Sequence, residues 1–124
     1  MLRLLLVERD PALAWLYKEE LEEAGFKVRV SDGLNSARAA LRDQPAHLLV
    51  GDINSLGPCL ELSLPRLREV HSGPMLLLGS VGKGRGRRLG LPVVVKSSDL
   101  KPLISTLRKQ ALPFLWSHSA SASC

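Results

Sequence analysis

The sequence predicts an α/β protein: a parallel sheet with helices on both faces. Three observations carry this. Short aliphatic runs (LRLLLV at 2–7, AHLLVG at 46–51, PMLLL at 74–78, LPVVV at 91–95) alternate with segments of helical period. The runs are almost continuously apolar, as strands buried on both faces are. Polar residues collect directly after the runs, where open parallel sheets hold their ligands. A chain of 124 residues is long enough for one such domain with a full core.

The first run ends abruptly in Glu8-Arg9-Asp10-Pro11. Asp10 suits a helix N-cap and Pro11 the first helical position. Leu13, Leu16, Tyr17, Leu21 and Ala24 then recur at helical spacing, Glu19, Glu20, Glu22 and Glu23 fill most of the other face, and Gly25 suits the C-terminal stop. Phe26–Ser31 alternates as a second strand. Leu34–Asp43 reads as a second helix with Ala37, Ala40 and Leu41 inward, broken by Gln44-Pro45. Ala46–Gly51 is a third strand that ends at Asp52. Residues 59–71 read as a helix that Pro65 should kink or shorten. Pro74–Leu78 and Leu91–Val95 are the fourth and fifth strands. The segment between them, SVGKGRGRRLG, is too short and glycine-rich for a full helix, so that helix is expected to be short or missing. Ser98–Gln110 is a last helix with Leu100, Leu103, Ile104 and Leu107 on one face. The expected division is a domain over 1–110 and a tail over 111–124. Phe114, Leu115 and Trp116 would pack on the domain or a partner, and the small-residue end would be disordered.

Composition narrows the function classes. No apolar run approaches the roughly 20 residues that span a bilayer, and no cleavable leader is visible. Cys59 and Cys124 lack ligand spacing, which points to a cytoplasmic protein without metal. The net charge of +5 is uneven: residues 1–62 carry net −3 and residues 63–124 net +8. No Ser/His/Asp or Cys/His set collects at one strand end, so an enzyme is not expected.

The order and spacing from about Leu2 to Lys109 resembles the receiver domain of bacterial two-component response regulators, a flavodoxin-like fold. Four elements carry the resemblance: the acidic cluster in LLLVERDP, the aspartate in HLLVGD, the lysine in PVVVK, and the LEEAGFKV link between first helix and second strand. It implies that Asp52 stands at the phospho-acceptor position, Asn54 at the residue whose backbone helps hold Mg²⁺, Glu8 at the first metal-binding acid, and Lys96 at the phosphoryl-binding lysine. The departures are as informative. Arg9 stands where the family has the second acid. Gly79 stands at the switch hydroxyl, with Ser80 one residue late, and Val93 at the switch aromatic. Ser97 replaces the proline after the lysine, and the loop after Asp52 lacks Met-Pro-Gly.

Arg9 decides what the resemblance is worth. A guanidinium has donors and no acceptor, so it cannot ligate Mg²⁺. At about 4 Å and an effective dielectric of 20, it would also repel the ion by roughly 4 kcal/mol per pair of unit charges. Arg9 is expected to pair with Asp52 and Glu8 in the metal's stead while Lys96 supports Asp52. The alternative is that Arg9 points to solvent from a decayed pocket. Asp10, beside this charge cluster, is assigned to capping, the alternative being that it turns inward to support a weak metal site. No cofactor is expected, and Mg²⁺ binding should be impaired.

Outside this cluster, Lys83, Arg85, Arg87 and Arg88 form the densest charge run, either a solvated loop or an anion contact for nucleic acid or an acidic surface. Lys101, Arg108 and Lys109 extend that charge along the last helix. Such a face should resist pairing with itself and accept an acidic protein. Trp15 is off the inward stripe, either an exposed anchor or a partly buried edge residue. The function expected is a stand-alone pseudo-receiver acting as a protein-interaction module. The alternatives are a weakly phosphorylatable response regulator using Asp52, and anion binding through residues 83–88.

Overall fold

A computed structural model describes residues 1–80 and 88–122. Five strands, β1 (Arg3–Val7), β2 (Lys27–Ser31), β3 (Leu48–Asp52), β4 (Met75–Gly79) and β5 (Val93–Val95), form one sheet in the order β2-β1-β3-β4-β5, with all pairs parallel. Among the described residues there are four helices: α1 (Pro11–Glu23), α2 (Leu34–Asp43), α3 (Leu60–Arg68) and α4 (Lys101–Ala122). The expected flavodoxin-like architecture is the one observed.

The pleat of the strands sorts the core into two layers, because alternate residues face opposite sides. Leu4, Leu6, Leu48, Val50, Leu76 and Leu78 meet α1 and α4 through Tyr17, Leu21, Leu103 and Leu107. Leu5, Val7, Leu49, Met75 and Leu77 meet α2 and α3 through Ala37, Leu41, Leu60 and Leu67. The close approach of β3 to the loop beyond it depends on Gly51, where a Cβ would stand 2.7 Å from Leu56 Cδ1.

Local chemistry explains the element ends. Asp10 caps α1, its Oδ1 accepting from the Ala12 and Leu13 amides at 2.9 and 3.3 Å. Gly25 leaves α1 at φ 106°, a conformation that favours glycine. The Arg29 guanidinium donates to the Ala40 and Gln44 carbonyls at the end of α2. Pro65 lies inside α3, which ends at Arg68 rather than reaching residue 71. Asp99 caps α4 by accepting from the Lys101 amide at 3.1 Å.

Several expected boundaries move. Strand β5 has three residues rather than five, since Pro92 has no N–H to enter the ladder. Strands β3 and β4 each extend one residue further, taking in Asp52 and Gly79. The last helix is the main correction: it starts at Lys101, not Ser98, and continues past Gln110 and through Pro113 to Ala122. Burial of Ala111 and an edge-on contact of Phe114 with His47, centroids 5.3 Å apart, carry it across the expected boundary at 110. Residues 123–124 lie outside the described residues.

Two histidines hold this frame in their neutral form. His47 Nδ1 accepts from the Arg3 amide at 2.9 Å, and His71, buried, donates through Nε2 to the Pro74 carbonyl at 3.0 Å. Burial lowers the pKa of both below the ordinary 6.5, reinforced at His47 by Arg3 and the N-terminus and at His71 by Arg68, against the Pro74 bond. The unfolded chain therefore binds protons first, so their contribution is complete above pH 6.5 and lost as the pH falls below it. Urea denaturation should give a lower midpoint at pH 5 than at pH 7.5. His47→Asn, which retains an acceptor, should flatten that slope; an unchanged slope in this variant would remove His47 as a cause.

Candidate functional site

Strand order reverses at β1: the chain leaves it for β2 on one side and returns to β3 on the other. The carboxyl ends of β1 and β3 thus flank the crevice where such sheets bind ligands. Glu8 continues β1, its amide donating to the Ser31 carbonyl at 2.9 Å, and Asp52 is the last residue of β3. Both carboxylates are buried, at 3% exposure each.

Lys96, one residue past β5, joins them. Its amide is fixed on the Gly79 carbonyl at 2.8 Å. Its Nζ donates to Glu8 Oε2 at 2.6 Å and to Asp52 Oδ1 at 3.1 Å. Burial by itself would lower the pKa of this ammonium, but the hydrogen bonds and charges of the two carboxylates outweigh it and raise the pKa above 10.5. Lys96 is therefore a cation at neutral pH. As far as the lysine's own titration goes, its contribution to stability is complete below pH 10.5 and is lost as the pH rises past the elevated pKa.

The other carboxylate oxygens are also engaged. Asp52 Oδ2 accepts from the amide and the hydroxyl of Ser55 at 3.0 and 2.7 Å. Ser55 Oγ in turn accepts from the Arg9 amide at 2.9 Å. Glu8 Oε1 accepts from the Asp10 amide at 3.0 Å. Tyr17 closes the inner wall, its hydroxyl donating to the Ser97 carbonyl at 3.1 Å. Ser55 was absent from the sequence expectations. The signal was the D-x-x-S spacing, since a serine three residues after an aspartate can return two donors to it in a turn.

Arg9 does not take its expected place. Its side chain is exposed, and among the described residues it forms no ion pair with Asp52 or Glu8. Glu8, Asp52 and Lys96 are in step with Leu4 and Leu6, Leu48 and Val50, and Val94, on the α1/α4 side, and the lysine reaches both acids. Arg9 lies past the end of β1 in the bend that leads to α1, where its amide donates to Ser55 and its side chain is exposed. One lysine, rather than a lysine and an arginine, serves both acids.

The switch positions are equally specific. Gly79 is buried, and a Cβ there would lie 2.7 Å from Ile53 Cδ1, so the isoleucine fills the room beside it. Ser80 is exposed and Val93 half-buried in the α2/α3 layer. Asn54 is exposed at the pocket mouth. On the basic face, Arg88, Lys101, Arg108 and Lys109 are exposed, while Lys83, Arg85 and Arg87 lie outside the described residues. Trp15 is exposed, at 62%. No described helix is long and apolar enough to cross a membrane.

Neither a protein-family model nor a curated protein matches the chain. Solved structures do. The BeF3-activated receiver domain of Klebsiella pneumoniae RstA matches at TM-score 0.75 and 23% identity, over 87% of this chain and 97% of that one. The Thermotoga maritima response regulator TrrA, in complex with Mg²⁺-BeF, matches at 0.77 and 24%, over 89% and 99%. Vibrio cholerae chemotaxis protein CheY4 matches at 0.73 and 19%, over 88% and 98%. The fold is that of a response-regulator receiver domain. At these identities the likeness establishes the receiver fold, and the site is judged on its own residues.

Removing Lys96 should leave two buried carboxylates uncompensated. Lys96→Met should cost about 3–5 kcal/mol in urea denaturation at pH 7. A variant as stable as the parent at pH 7 would mean that the bridge contributes little.

Proposed function

We propose that this chain is a pseudo-receiver: a protein-interaction module of two-component signalling whose Asp52 site does not run Mg²⁺-dependent phosphorylation. The observation that carries it is the engagement of both Asp52 oxygens by protein donors, Oδ1 by Lys96 and Oδ2 twice by Ser55.

The donor set does not fit Mg²⁺, a hard cation that takes several oxygen ligands. Glu8 gives its oxygens to Lys96 and the Asp10 amide, and Asp10 spends its own carboxylate on the helix cap. The position that resembles the second metal-binding acid is Arg9, which has no lone pair to give. Because the Arg9 guanidinium is exposed, solvent screens its repulsion, and the missing ligand is the larger defect. Relay of a phosphoryl signal lacks parts as well: Ile53 fills the space beside Gly79, and Val93 carries no ring. A module of this kind acts through its surface. The exposed cations of α4 suit a protein partner with an acidic surface.

A second reading, weak phosphorylation of Asp52, draws on one observation. Arg9 turns away from the pocket, and Lys96 lies 3.1 Å from Asp52 as a phosphoryl-binding cation would. Amide NMR with Mg²⁺ and beryllofluoride separates the two. The spectrum around Asp52, Gly79 and Lys96 should stay unchanged, whereas shifts there would favour the phospho-acceptor. Arg9→Asp, which returns a carboxylate to that position, should make the spectrum respond to Mg²⁺; no response would show that the missing ligand is not the cause.

A further inference from the structure

The two helices of one layer carry opposite charge on their solvent faces. On α1 the face away from the sheet holds Trp15, Glu19, Glu22 and Glu23, all exposed. On α4 the corresponding face holds Lys101, Arg108, Lys109 and Leu112, also exposed. None of these charges forms an ion pair among the described residues. Each helix also leaves a large apolar side chain in water amid its charges: Trp15 at 62% exposure on α1, and Leu112 at 59% on α4.

Their placement makes the pair self-complementary. Tyr17 and Leu21 of α1 share a core with Leu103 and Leu107 of α4, and the Tyr17 hydroxyl reaches the Ser97 carbonyl ahead of α4. The two helices therefore lie side by side on one face of the sheet. Both run back against parallel strands, so they are parallel to each other. A two-fold axis parallel to these helices, lying on the surface between them, sets α1 of one copy over α4 of the other, and α4 over α1. Acid then meets base twice. Such an isologous contact closes on itself as a dimer.

We propose that this layer is a homodimer interface, with the acidic α1 face of one copy docked on the basic α4 face of a second copy. The proposal rests on the interaction-module reading and gives its acidic partner an identity: the chain's own first helix. Pairing α4 on α4 would oppose like charges, and this arrangement avoids that.

Sedimentation equilibrium of the full chain tests it through charge swaps. The parent should dimerise and weaken with added salt. E19K/E23K and R108E/K109E should each weaken self-association on the order of 100-fold, because each change counts twice across the axis. Mixing the two variants should restore a heterodimer, and the quadruple variant should restore a homodimer, since both regain opposite signs. Circular dichroism of each variant excludes unfolding. A parent that stays monomeric at high micromolar concentration, or a dimer indifferent to all of these swaps, would overturn the proposal. Either result would leave the pseudo-receiver reading standing. A dimer that forms only with Mg²⁺ and beryllofluoride would instead keep the interface and sink the pseudo-receiver reading.

Discussion

The ammonium of Lys96 holds the functional end of this molecule together. Two carboxylates at 3% exposure lie at the ends of β1 and β3, and leaving both ionised without a counter-charge would cost several kcal/mol. A single cation from beyond β5 meets both, at 2.6 and 3.1 Å. The bridge ties the first, third and fifth strands at one edge of the sheet. It also sets the register of the loops that follow, since Asp10 and Ser55 place their amides on the remaining oxygens of the same two acids.

That arrangement has a chemical consequence. A carboxylate that accepts from an ammonium, a hydroxyl and an amide is a weaker nucleophile than a free one, since each donor stabilises its charge. Ser55 matters most here, because it takes the oxygen that Lys96 leaves. Ile53, in the same turn, fills the space beside Gly79. Three residues at the end of β3 and the turn after it (Asp52, Ile53, Ser55) thus build one interlocked corner. On the surface of the α1/α4 layer the chain separates its charges helix by helix.

Much of the fold was legible in the residues. Continuous aliphatic runs, a capping Asp10-Pro11 and a stop at Gly25 are local signals, and local chemistry honours them. The failures were also local in origin. Pro92 is no part of the fifth strand the pattern predicts, the third helix is shorter at both ends than its pattern, and the last helix runs beyond the point where its first apolar stripe stops. Ala111 and Phe114 extend that helix through contacts with residues far away in sequence, which no window of the chain displays.

The sequence by itself determined the parallel α/β architecture, the meeting of Glu8, Asp52 and Lys96 at one sheet edge, and the presence at position 9 of a side chain with donors and no acceptor. Strand ends follow from hydrophobic patterning, and residue identity alone fixes what a side chain can give. Only the tertiary structure decided which cation serves the two acids. The choice depends on side-chain direction: Arg9 stands exposed beyond the end of β1, and Lys96 reaches across from β5 to both acids. It also brought α1 and α4, some 80 residues apart in the chain, into a single layer. Their opposite charges form one surface only because a parallel sheet places its first and last helices on the same face.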